Sequence, residues 1–173
     1  RMTLSNKAEK CILLVSLFLS CIALYFSYTN NYILTYNDAA SHLNIARRVI
    51  DNLTPGIAQI GTVWLPLPHL LMIPFAINDD LWHTGFAGSI VSMLAFLVSV
   101  FFTYKTVFTI TKSVVGGVIG ASIMALNPNF LYIQTTPMTE PLLIAMFCAA
   151  VYFLAKYVEH WQIQQLLISS MFV

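Results

Sequence analysis

"YILTYNDAASHLNIARRVIDNLTPG", residues 32–56, is polar and carries charges of both signs. The chain around it has 173 residues, of which 58% are hydrophobic and only 9% are Asp, Glu, Lys or Arg. An ordinary soluble domain carries about 25% charged residues, and the mean hydropathy of +0.78 points instead to an integral membrane protein. The segment is the exception that needs a reason. With about 20 residues used per bilayer crossing, the chain has room for about four spans and one large polar loop, residues 29–80.

Working outward from the segment, residues 11–28 hold no charge, and Tyr25, Tyr28, Tyr32 and Tyr36 gather at their far end like an interfacial aromatic belt. That is the first expected span. Residues 81–104, opened by Trp82 and closed by Tyr104, form the second. The third, residues 113–132, contains "NPN" at 127–129, and the fourth covers 139–156. Residues 164–173 read as the start of a fifth, so the chain is expected to be the front part of a longer protein. "HLLMIPFAI" (69–77) is too short to cross and contains Pro74, so an interfacial or re-entrant position is expected.

Sidedness follows from the short basic loops. Lys7 and Lys10 precede the first span, Lys105 and Lys112 separate the second from the third, and Lys156 ends the fourth, which puts these ends in the cytoplasm. Asp38, Asp51, Asp79, Asp80 and Glu140 then share the outer side, with Arg47 and Arg48 as its only arginines or lysines. An anionic ligand at the outer surface would account for that pair. A net charge of +1 gives no clustered basic surface for nucleic acid. Cys11, Cys21 and Cys148 lie in apolar runs, without CxxC spacing or a disulfide framework.

Within the quoted stretch, Asn37 or Asp38 is expected to cap a helix whose apolar stripe is Leu43, Ala46, Ile50 and Leu53, ended by "TPG" at 54–56. Such a helix lies flat on the outer face. A proline-stiffened strip, "IGTVWLPLPHLL" (60–71), presents Trp64 and His69. In "NPNFLYIQTTPMTEPLL" (127–143), prolines break the helix near membrane depth, which is tolerated only where protein or a water-filled cavity receives the freed polar groups. Glu140 therefore belongs to a polar cavity, at the first turn of a helix whose dipole favours a carboxylate.

An outer loop opening with an acid and carrying flat helices, a W-x-P-x-P-H strip, and an acid within N-P-N…T-x-P-M-T-E resemble the N-terminal module of GT-C fold membrane glycosyltransferases. The likeness is greatest to bacterial and archaeal relatives of the protein O-mannosyltransferases and the aminoarabinose transferases. The resemblance implies an all-α transmembrane bundle in a bacterial or archaeal plasma membrane. It implies transfer of a sugar, with inversion, from a polyprenyl or dolichyl phosphate carrier to an extracytoplasmic protein, lipid or glycan. It also implies that Asp38 is the catalytic carboxylate of the first outer loop and Glu140 the acid of the second. The family often has two adjacent acids in the first loop, where this chain has Asn37 before Asp38. Chemically, Asp38 suits a general base, and Arg47 or Arg48 suits bidentate contact with phosphate. Trp64 and His69 complete the expected substrate contacts. A divalent cation is an open question; Asp38 with His42 at i, i+4, completed by His69, is the set that would hold it. A transporter or a non-catalytic subunit handling lipid-linked sugars is the competing class.

Overall fold

The computed structural model describes residues 2–60 and 63–172, with the side chains of Met2 and Thr3 left aside. The chain folds as α1 (Met2–Thr29), α2 (Asn37–Arg48), a 3-10 turn (Ile57–Ile60), α3 (Pro66–Ala76), α4 (Asp79–Thr84), α5 (Phe86–Thr111), α6 (Val114–Ala125), α7 (Pro128–Ile133), α8 (Glu140–His160) and α9 (Ile163–Ser170). No strand occurs among the described residues. Among the described residues three helices are long and apolar enough to cross a membrane: Leu4–Thr29, Phe86–Thr111 and Glu140–His160. The all-α bundle expected from composition is what forms.

Long-range contacts give the directions. Ser5 meets Tyr104 and Tyr28 meets Phe86, so α1 runs antiparallel to α5. Ser92 reaches the Met138 carbonyl and Lys112 reaches Glu159, so α8 runs parallel to α5. The chain must return between them, and α6 with α7 makes that return. Alone, α6 rises about 18 Å, short of a hydrocarbon core of about 30 Å. The expected third span is therefore not one helix. Pro128 has no N–H to continue α6, and the Asn127 side chain accepts from Phe130 N at 3.1 Å to start α7.

Two apolar clusters hold the bundle. Ile12, Phe96, Val100, Tyr104, Ala121, Ala125 and Phe130 join α1, α5, α6 and α7. Leu43, Ala46, Met72, Ala76, Ala87 and Val91 seat α2 and α3 on the first turns of α5.

Several expected boundaries shift. The second span starts at Phe86 rather than residue 81, because Gly85 at φ +86° ends α4 and opens α5. A Cβ there would stand 2.5 Å from Ile33 Cγ2, so the left-handed turn and the close approach both call for glycine. That helix runs on to Thr111, and Tyr104 is buried within it instead of marking the interface. Tyr36 takes the cap position of α2, leaving Asp38 as the second helical residue, in the first turn. The buried face of α2 is Ala39, His42, Leu43, Ile45 and Ala46; Ile50 and Leu53 lie beyond the helix, and Leu53 is fully exposed. Pro66 and Pro68 do not make an extended strip: they start α3, where a missing N–H costs nothing. Gly61 and Thr62 of the strip, and Val173 of the expected fifth helix, lie outside the described residues.

Candidate functional site

The site lies at the end of the bundle where α1 and its loop, α2, α3 and the start of α8 meet. Its foundation is the irregular segment before α8. Gln134, Thr135, Thr136 and Pro137 are wholly buried, so their polar groups need partners inside the protein. Serines supply them. Ser89 Oγ donates to the Thr135 carbonyl at 2.6 Å, Ser92 Oγ to the Thr136 carbonyl at 2.7 Å, and Ser20 Oγ to Gln134 Oε1 at 2.7 Å. Thr135 Oγ1 donates to Ser27 Oγ at 2.8 Å. The backbone approaches α5 so closely at Pro137 that a Cβ on Gly88 would fall 2.2 Å from Pro137 Cβ. This seat fixes the start of α8, and with it Glu140.

On the facing side α2 and α3 are locked by Arg47. All five of its N–H donors are used: Nε and Nη2 on Asp51 at 3.3 and 3.2 Å, Nη2 also on Asp79 at 2.6 Å, and Nη1 on the Ala76 and Ile77 carbonyls at 2.8 and 3.2 Å. The guanidinium also lies 4.9 Å from the Trp82 ring centroid. The expected phosphate clamp is therefore corrected for Arg47, which has no donor left. Arg48 is exposed and has no hydrogen bond or ion pair among the described residues. It stands ten residues from Asp38 on the same helix, about 15 Å along the axis.

Between these two supports sits a histidine pair. His42 Nδ1 and His69 Nε2 are 2.9 Å apart, and both side chains are buried. Trp64 meets the His42 ring edge-on at 4.9 Å between centroids. The charges of Asp38 and Glu140 both act on His42, one from its own helix and one from α8. Burial lowers the His42 pKa, and these two carboxylates pull it partly back up. Burial, then the neighbouring His42, also lowers His69, opposed by the Leu65 carbonyl. Both imidazoles are consequently neutral near pH 7.

The carboxylates themselves are unengaged. Asp38 is exposed and makes no hydrogen bond or ion pair among the described residues. Glu140 is half-buried, with Oε2 buried and unpartnered. A buried carboxylate oxygen without a partner is costly, and such a cost is expected where a ligand completes the set. Beside Glu140, Thr139, Leu142, Leu143 and Met146 face Trp64, Leu65 and Leu67 across an apolar groove of about 410 Å³.

Two further expectations need correction. His69 is 0% exposed beside His42, so the expected direct substrate contact is closed to it. A metal held by Asp38 and His42 with His69 does not match the side chains either. The two facing nitrogens at 2.9 Å are hydrogen-bonded to each other, closer than the roughly 3.3 Å that two ligands at about 2.05 Å span in a tetrahedral zinc site. No group of three or more His, Cys, Asp or Glu side chains with metal-binding spacing occurs among the described residues.

The geometry thus brings an acid from the loop after α1, an acid after a broken helix and an apolar groove to one end of a membrane bundle. Residues 68–173 match the dolichyl-phosphate-mannose-protein mannosyltransferase family. The chain belongs to that family. It is an integral membrane glycosyltransferase of the mannosyltransferase type, with a GT-C fold. No curated protein and no solved structure matches it. The family match takes in His69 and Glu140 and leaves out α1 and α2, so Asp38 and His42 rest on geometry alone.

Sequence reasoning missed the serine seat and the burial of His42. One signal was available: Ser16, Ser20 and Ser27 recur on one face of an otherwise apolar span, and all three are buried. Serines repeated on one face of a span mark protein contact, not lipid.

Proposed function

We propose that this module transfers a sugar, with inversion, from a polyprenyl or dolichyl phosphate carrier to an extracytoplasmic acceptor hydroxyl. The observation that carries the reading is the convergence on His42 of two carboxylates from separate loops, neither of them satisfied within the protein. In this reading Asp38 takes the acceptor proton as general base. The acceptor oxygen attacks the anomeric carbon from the face opposite the phosphate, the bond from carbon to phosphate oxygen breaks, and the phosphate leaves with the electron pair. Glu140 accepts hydrogen bonds from the acceptor or the sugar and holds it in line. Trp64 offers an aromatic face edge to the bound sugar. The apolar groove between α3 and α8 suits a polyprenyl tail, since each buried CH2 contributes about 0.8 kcal/mol.

The same convergence bears on the transporter alternative. A transporter buries its ionisable groups near mid-span, whereas Asp38 and Glu140 stand at helix starts at one end of the bundle. The outward orientation of that end is part of the proposal and follows the basic loops. The test is transfer from a polyprenyl phosphate sugar in membranes, comparing the full-length parent with Asp38→Asn. Loss of at least 10²-fold in kcat is expected for removal of a general base; undiminished transfer would remove Asp38 from the mechanism.

A further inference from the structure

We propose that His42 Nε2 is a second proton acceptor in this site, with His69 as the positioning residue that fixes its tautomer. The inference rests on the transfer reading above and adds where the acceptor proton goes next.

The argument begins with the 2.9 Å contact of His42 Nδ1 with His69 Nε2, in which one ring donates and the other accepts. His69 decides which. Its Nδ1 is buried, has no well-formed hydrogen bond, and faces the Leu65 carbonyl one helical turn back. If His69 donated through Nε2, a bare Nδ1 lone pair would be buried against a carbonyl lone pair and left unsatisfied. With the proton on Nδ1 instead, His69 points an N–H at Leu65 and accepts at Nε2. His42 must then carry its own proton on Nδ1. Its Nε2 is left bare.

The groups facing His42 are Asp38 on α2, His69 on α3 and Glu140 at the start of α8. Arg47 is turned away onto Asp51 and Asp79, and Arg48 stands at the far end of the helix. Asp38 and His42 are one turn apart, the spacing at which helical side chains meet. A carboxylate is a weak resting place for a proton, and a neutral imidazole next to it is a stronger base. The hydroxyl proton accordingly passes from the acceptor oxygen to Asp38 and on to His42 Nε2. The charges of Asp38 and Glu140, which both act on His42, stabilise the imidazolium so formed, and it returns the proton to water after the transfer. His69 keeps Nε2 free throughout.

The first test is 15N NMR of the full chain, labelled at histidine and held in lipid nanodiscs, with His42 assigned by its loss in His42→Gln. The expected result is a neutral His42 protonated on Nδ1 and bare on Nε2; a proton found on Nε2 would overturn the proposal, whether or not transfer activity is seen. The second is the pH profile of transfer. His42→Gln should lower kcat by 10²-fold or more, within the range for proton-transfer groups, leave donor KM within a few-fold and remove the acidic limb. His69→Leu should cut kcat roughly tenfold and displace that limb, and His69→Gln, whose amide oxygen still accepts from Nδ1, should restore most of it. A His42→Gln protein with the parent kcat and pH profile would overturn the role even if Asp38→Asn were inactive, so this failure is distinct from failure of the transfer reading.

Discussion

The two ends of the bundle handle their charges in opposite ways. At the end where α5 meets α6, each acid has a partner: Lys105 Nζ lies 3.1 Å from Glu9 Oε2, and Glu159 is held by Lys112, Lys156 and His160. Tyr104 donates to the Ser5 carbonyl at 3.1 Å and closes the core there. At the other end, Arg47 satisfies Asp51 and Asp79 and Asp80 is left to solvent, but Asp38 and Glu140 stay unpaired around a neutral histidine pair. The contrast separates structure from chemistry. The first end is electrostatically finished, and the second is finished only by what it binds.

That comparison can be broken most directly at the carboxylates. Glu140→Gln should lower transfer by tenfold or more, the scale of a lost orienting contact, with no loss of thermal stability of the purified protein; a large drop in melting temperature would mean that Glu140 is a structural acid like Glu159. Next in size is the seat beneath it. Gly88→Val should destabilise by about 1–3 kcal/mol, as overpacking does, and should reduce transfer because Pro137 can no longer approach α5. Thermal unfolding and transfer measured on the same sample check this, and an unchanged protein would show the segment to be loosely held.

Smaller effects come from pH. His42 and His69 have lowered folded pKa values, so below about 6.5 the unfolded chain binds more protons than the folded one. Stability from the pair is therefore complete above that pH and is lost as pH falls toward the folded values. Melting temperature followed from pH 7.5 downward should fall in the parent and stay flatter in a protein carrying both His42→Gln and His69→Gln. Smallest is Glu9→Gln at the closed end. A half-exposed pair such as Lys105 with Glu9 is worth no more than about 1 kcal/mol, so both stability and transfer should change little.

The spans were legible because a bilayer imposes long uncharged runs, and α1, α5 and α8 are such runs. A helix break was legible where Pro128 enforces it, whereas the break at Gly85 was missed and shifts a boundary that hydropathy alone places at Leu81. In the site, Asp38 and Glu140 stand out because charge is scarce in this chain. Arg47 looked identical to Arg48 in sequence. Only tertiary packing, which brings the Ala76 and Ile77 carbonyls and Asp79 to one guanidinium, distinguishes them. His42 and His69 were grouped from sequence as a candidate metal set, but their hydrogen bond was not legible: residues 27 apart share a proton only once α2 lies on α3.

The central claim is that Asp38 and Glu140 occupy one pocket on one side of the membrane. It is tested most directly by Asp38→Cys combined with Glu140→Cys, in a background where Cys11, Cys21 and Cys148 are serine, using a short bifunctional thiol reagent in sealed membrane vesicles. The account predicts rapid cross-linking within one chain and labelling of both positions from the same face. Labelling of the two cysteines from opposite faces would contradict it.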